Sequence, residues 1–212
     1  MTTSLAHAFW TPRNAATFNL VDLRADDGRD HAALFGPFGR CALAGGERLV
    51  LAFDQTSLRA ELHARGDWIL ATSRARGAFE SAGAALRWFP AELRFRRSRR
   101  VVAGAHWLAP VERWVPMLDE ARSAFEPFRA ADGAPVVRAV GGEAVAAVRR
   151  LTRLALRNRI DLDGRVVGNA HLHPLVGPFF DETLARALRD ALGARIELVD
   201  RGWIERRFAG DA

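Results

Sequence analysis

Lysine and tyrosine are both absent from this 212-residue chain, so all 31 of its basic residues are arginine. Without lysine there can be no Schiff base, no pyridoxal-phosphate attachment and no phosphate-loop lysine. Without tyrosine there is no phenolic acid for catalysis. Cys41 is the only cysteine, which excludes an internal disulfide and a cysteine-built zinc cluster. No apolar run approaches the roughly 20 residues of a membrane-spanning helix. Met1 to Trp10 lacks the basic stretch, apolar stretch and cleavage site of a secretory leader, so the expected location is cytoplasmic, with no membrane partner.

What is present is ample material for a core. Hydrophobic residues make up 49% of the chain and charged residues 26%, outside the range of disordered or fibrous proteins. The 31 basic and 25 acidic residues leave a net charge of +6, which permits an acidic partner without demanding one. Guanidinium groups stay charged near neutral pH and form planar forks suited to carboxylates and phosphates.

Periodicity divides the chain at about residues 103–115. From Gly39 to Val102 the pattern is a meander of short strands. Gly45-Gly46 and Gly66-Asp67 provide turns. Leu58, Ala60, Leu62 and Ala64 alternate with Arg59, Glu61 and His63, which predicts one apolar face and one wet face. Pro90, unable to donate to a strand ladder, is assigned to a turn or an edge. After Pro116 the period becomes helical. Leu118, Ala121, Phe125 and Phe128 predict one helix, and Val145, Val148 and Leu151 predict another from Gly141-Gly142 to Arg157. A last helix runs from about Pro178 to Leu192, with the stripe Leu184, Leu188, Ala191 and Leu192 and with Gly193 as its stop. Short strands are expected at 135–140, 165–172 and 195–199.

The expected fold class is therefore α+β. It has one antiparallel sheet of about five or six strands in the N-terminal half, with the helices of the C-terminal half packed on one face. Residues 1–212 read as a single domain, with a possible subdivision into a β-rich part, 14–103, and an α/β part, 104–212.

The densest chemistry lies in Asn169-Ala170-His171-Leu172-His173-Pro174 and the following Asp181-Glu182. On a strand, His171 and His173 would share a face. They could act with Asp181 as a catalytic general base and its orienting acid. Alternatively His171, His173 and Glu182 could hold a metal as a two-histidine, one-carboxylate set. The bland reading places both histidines on a wet strand face and uses the acid only to cap a helix.

Two arginine groups compete for a binding role. Arg94, Arg96, Arg97, Arg99 and Arg100 form a dense cluster near Trp88, Phe89 and Trp107 that could hold a phosphate backbone and stack a base. Arg149, Arg153 and Arg157, with Arg150 beside them, would line one side of the helix expected over 141–157. Glu112, Asp119, Glu120 and Glu126 could cancel that stripe internally. Trp107 and Trp114 are candidates for an apolar contact patch. Asp163-Gly164-Arg165-Val166-Val167-Gly168 resembles a strand of the GNAT acetyltransferases over about ten residues. Val176-Gly177-Pro178 stands where that family has a glycine-containing pyrophosphate loop, so no residue role is carried over.

The leading expectation is a non-catalytic accessory or assembly protein that binds a protein with an acidic surface. Its contact residues would be Arg94, Arg96, Arg97, Arg99, Arg100, Arg149, Arg153, Arg157, Trp107 and Trp114. The alternatives are an enzyme using His171 and His173 and a nucleic-acid-binding module. No cofactor is indicated. The leading reading requires guanidinium groups that gather into positive zones without being cancelled one by one.

Overall fold

The computed structural model describes residues 5–6, 10–12, 20–35, 41–44, 46–54, 61–65, 67–162, 164–171 and 178–207. Its largest sheet has six strands. In spatial order they are Leu20–Ala25 (β3), Leu49–Phe53 (β4), Phe89–Phe95 (β7), His106–Pro110 (β8), Trp68–Thr72 (β6) and Leu62–Arg65 (β5). This corrects the antiparallel meander, because β4 and β7 run parallel, from Leu49 opposite Ala91 to Phe53 opposite Phe95. A parallel pair needs a long crossover. The crossover here contains the β5–β6 hairpin and the helix Ser73–Ser81 (α2). Pro90 lies inside β7, not in a turn. It faces Trp107 of β8 one residue before the β4 pairing begins, so its missing N–H breaks no bond to β4.

A second, five-stranded sheet contradicts the single-sheet expectation. Its order is Leu198–Asp200 (β17), Trp10–Pro12 (β2), Phe179–Phe180 (β16), Val166–Asn169 (β15) and Trp114–Val115 (β9). Three antiparallel pairs complete the strands. They are Ala124–Pro127 (β10) with Val148–Arg153 (β13), Val137–Val140 (β11) with Glu143–Ala146 (β12), and Leu5–Ala6 (β1) with Ile160–Asp161 (β14).

Both helices expected between residues 118 and 157 are thus replaced by strands. Gly141 and Gly142 have φ values of +58° and +85°. Two successive left-handed residues make the hairpin turn that matches strand twist, and they cannot open a helix. The valines at 145 and 148 belong to β12 and β13, where β-branched side chains fit well. The last helix ends as expected but begins after Pro178, because Phe179–Phe180 form β16 and Asp181 caps the helix. Glu182–Leu192 (α3) buries Leu184, Leu188 and Leu192 and ends at Gly193 with φ +54°. The short helices His31–Leu34 (α1) and Arg201–Arg207 (α4) complete the fold. Among the described residues, no helix is long and apolar enough to cross a membrane.

The core consists of three apolar clusters. One face of the large sheet presents Leu49, Leu51, Phe53, Trp68, Leu93 and Leu108 to α1 and its flanks. The opposite face, with Ile69 and Ala71, packs against α2 and α3. The third cluster joins Met117, Leu118, Val148, Leu156 and Ile204. Strand alternation distributes the five-stranded sheet between the last two. Val166 and Phe180 join the α2–α3 cluster, while Val167 and Phe179 join the third. Phe180 meets Phe79 edge-on at 5.5 Å. Helices therefore do not cover a single sheet on one side. The α2–α3 layer lies between parts of both sheets.

The close approach of β9 and β15 depends on a glycine. The Trp114 indole lies flat over Gly168, and a Cβ there would stand 2.7–2.9 Å from ring carbons. The indole Nε1 donates to the Val111 carbonyl at 2.8 Å, so the ring cannot slide aside without losing that bond. Gly168→Ala is expected to cost about 1–3 kcal/mol by overpacking, read as a lower urea midpoint at unchanged slope.

Candidate functional site

The His171 imidazole is 1% exposed and lies where β15 ends. Its Nε2 is 3.2 Å from Glu120 Oε1. An ionised carboxylate can only accept, so the ring proton is on Nε2, and Nδ1 takes the Leu118 N–H at 3.3 Å. Asn169 Oδ1 accepts the His171 backbone N–H at 3.1 Å, and the His171 carbonyl accepts from Val148. Glu120 also accepts the Ala146 N–H. Burial, opposed by Glu120, lowers the His171 pKa to about 4. An imidazole with both nitrogens engaged has no free lone pair for a substrate proton. Chemically, this one lashes the 117–120 turn, β12 and β13 to the end of β15.

The partners proposed for His171 lie elsewhere or outside the described residues. His173 is outside them. Asp181 caps α3, accepting the Leu184 N–H at 2.7 Å and pairing with Arg165 at 2.6 Å. Glu182 is in the first turn of α3, with Arg186 at 4.0 Å. Among the described residues, no three His, Cys, Asp or Glu side chains converge in a way that could hold a metal.

Sequence alternation assigned His63 to a wet face, but it is 6% exposed. Coverage of both sheet faces is the reason. His106 of β8 is buried on the same face, and among the described residues no hydrogen-bond partner reaches its Nδ1. Burial first, and then the neighbouring His106, bring the His63 pKa down to about 4. Burial also lowers that of His106.

Most described arginines are cancelled individually. Arg24 pairs with Asp22, Arg48 with Glu92, Arg195 with Glu61, and Arg113 with Asp161. The stripe expected over 149–157 is dismantled by the strand. Arg149 reaches Glu126 at 3.3 Å and Arg157 reaches Glu143 at 2.7 Å. Arg150 and Arg153 are exposed, and among the described residues neither has an ion-pair partner.

The second cluster occupies the end of β7 and the turn after it. Arg94 pairs with Glu92, and Arg96 is a loose 3.8 Å from Asp54. Phe95 is buried in the first core cluster and carries the Arg100 guanidinium 4.9 Å from its ring centroid. The turn is closed by Arg99 N–H to the Phe95 carbonyl at 2.7 Å and by Phe95 N–H to the Arg100 carbonyl at 2.9 Å, with Arg99 at φ +55°. Arg97 and Arg99 are exposed, and among the described residues they have no carboxylate partner. The aromatics expected to accompany this cluster are not beside it. Phe89 is buried at the far end of β7, and the preceding Trp88 packs edge-on against Phe79.

The two candidate contact tryptophans are half-buried. Trp107 donates to Ser73 Oγ and lies under the Arg76 guanidinium at 3.9 Å. Trp114 is packed on Gly168 as described above. Sequence reasoning missed Arg122 and Arg206, which line an open cleft together with Arg153. The clue was the Arg206-Arg207 pair in the C-terminal helix, although nothing local connects it to residue 153. No protein-family model matches this chain, and no curated protein matches it either.

Proposed function

We propose that this chain is a non-catalytic binding protein that docks an acidic protein surface on the turn following β7. The observation that carries the reading is the pair Arg97 and Arg99, exposed and, among the described residues, without a carboxylate, in a fold that pairs many of its other arginines with acids. The turn is anchored in the core through Phe95, so its cations are presented at little entropic cost. Arg96 and Arg100 flank the pair. Val101 beside it is 51% exposed and offers an apolar contact. Protein interfaces favour this mixture of arginine and apolar surface. A single-stranded nucleic acid would need ring faces on which to stack its bases, and the aromatics of β7 face the core.

The test is binding of labelled polyglutamate, compared with a single-stranded oligonucleotide of equal charge, across a salt series. Polyglutamate is expected to bind and to weaken steeply with salt, and the oligonucleotide to bind no more tightly. Tighter oligonucleotide binding would transfer the site to nucleic acid. Absence of any salt-sensitive binding would remove the reading.

A further inference from the structure

A second positive site is built where three distant stretches of chain meet. The turn over residues 119–123 forms one wall, the end of β13 with Leu154 and Ala155 forms the floor, and α4 forms the other wall. The open cleft between them has a volume of about 600 Å³, within the usual range for small-molecule sites. Its walls are tied together. Ser123 Oγ donates to the Ala155 carbonyl at 3.1 Å and accepts the Ala155 N–H at 3.0 Å. Glu205 of α4 accepts the Leu156 N–H at 2.8 Å.

The charges of the lining do not balance. Among the described residues Glu205 is the one acid in the lining, and its Oε1 takes both Arg201 at 3.1 Å and the Leu156 N–H at 2.8 Å. Arg122 is loosely held by Asp119 at 3.6 Å. Arg153 at the end of β13 and Arg206 of α4 both line the cleft, and among the described residues neither has an ion-pair partner. Beneath these guanidinium groups the floor is apolar, with Leu154 and Ala155 buried.

Two uncancelled forks lining one cleft match an oxyanion that carries close to two charges and several acceptor oxygens. A phosphate monoester does so near neutral pH, whereas a carboxylate offers a single charge and engages one fork. The apolar floor suits the organic part of the ester. We infer that this cleft binds a small organic phosphate monoester, its phosphoryl oxygens between Arg153 and Arg206 and its apolar group against Leu154. The site is separate from the turn after β7, so either assignment can fail alone.

Phenyl phosphate, benzoate and inorganic phosphate are titrated into the full chain by calorimetry at low salt. Phenyl phosphate should bind at least about tenfold more tightly than benzoate and more tightly than inorganic phosphate. Arg153→Gln and Arg206→Gln, each on an exposed side chain, should each weaken it about tenfold or more, while Arg97→Glu with Arg99→Glu leaves it unchanged. A phosphoserine peptide binding more tightly than phenyl phosphate would replace the small molecule by a modified protein and overturn the assignment. So would equal binding of benzoate, no binding at millimolar concentrations, or indifference to both cleft variants in proteins that retain their circular dichroism.

Discussion

Between about pH 7 and pH 5 the protein is expected to lose about 4 kcal/mol of folding stability. The loss comes from His63 and His171, whose burial brings both pKa values down to about 4. A histidine with a depressed folded-state pKa is protonated first in the unfolded chain. Acid therefore favours unfolding from the ordinary value near 6.5 downwards, until the folded state also takes up the proton near 4. At pH 5 the solution is about 1.5 units below the ordinary value, or about 2 kcal/mol for each imidazole. Protonating His171 on Nδ1 would also break its bond from the Leu118 N–H. His106 is shifted in the same direction and adds to the loss. Glu61 is held below its ordinary value by the Thr72 hydroxyl and Arg195, so its contribution is lost only in stronger acid. Against a typical total of about 5–15 kcal/mol, the effect is large enough to unfold a marginal domain. Urea unfolding at the two pH values measures it directly. His63→Gln or His171→Gln should each remove about half of the pH dependence. Unchanged stability between pH 7 and 5 would mean that burial does not hold these rings neutral.

These histidines also show where local sequence pattern is informative and where it fails. Alternation through Glu61–Ala64 identifies a strand, but a buried second face is imposed by residues far away. The α3 helix was legible because everything that defines it is local: the Asp181 cap, leucines at 184, 188 and 192, and Gly193 as the stop. Residues 118–128 and 141–157 carry apolar side chains at nearly helical spacing, yet the regular structure within them is the strands β10, β12 and β13. Glycines at 141 and 142 make the hairpin turn, and the Ser123–Ala155 bonds fix the 119–123 turn to the end of β13. The β4–β7 pairing joins strands separated by a hairpin and a helix, and no local periodicity encodes it.

Charge was harder to read than secondary structure. Arg149 does find Glu126, one of the acids its sequence neighbourhood offered. Arg195 instead finds Glu61, and Arg113 finds Asp161, across gaps that only the fold closes. Coherent positive zones over the whole arginine-rich surface are therefore not what the fold builds. Among the described residues, the turn after β7 and the cleft under α4 each keep more than one arginine without an ion-pair partner. Of the ten contact residues expected from sequence, Arg97, Arg99 and Arg100 have no carboxylate partner among the described residues on the turn, and Arg153 has none in the cleft.

The docking role of that turn is tested most directly by charge reversal at constant net charge. Arg97→Glu with Arg99→Glu is compared with Arg24→Glu with Arg186→Glu, which reverses two exposed arginines already paired to Asp22 and Glu182. An exposed charge contributes up to about 1 kcal/mol at low salt, so losing both turn cations corresponds to about 2 kcal/mol, or about a thirtyfold weaker affinity. Fluorescence anisotropy with labelled polyglutamate should show that loss, together with a shallower salt dependence, in the turn variant and little change in the control. Equal affinities for the two variants would contradict the account, because binding would then follow total charge and not the Arg97 and Arg99 guanidinium groups of the turn.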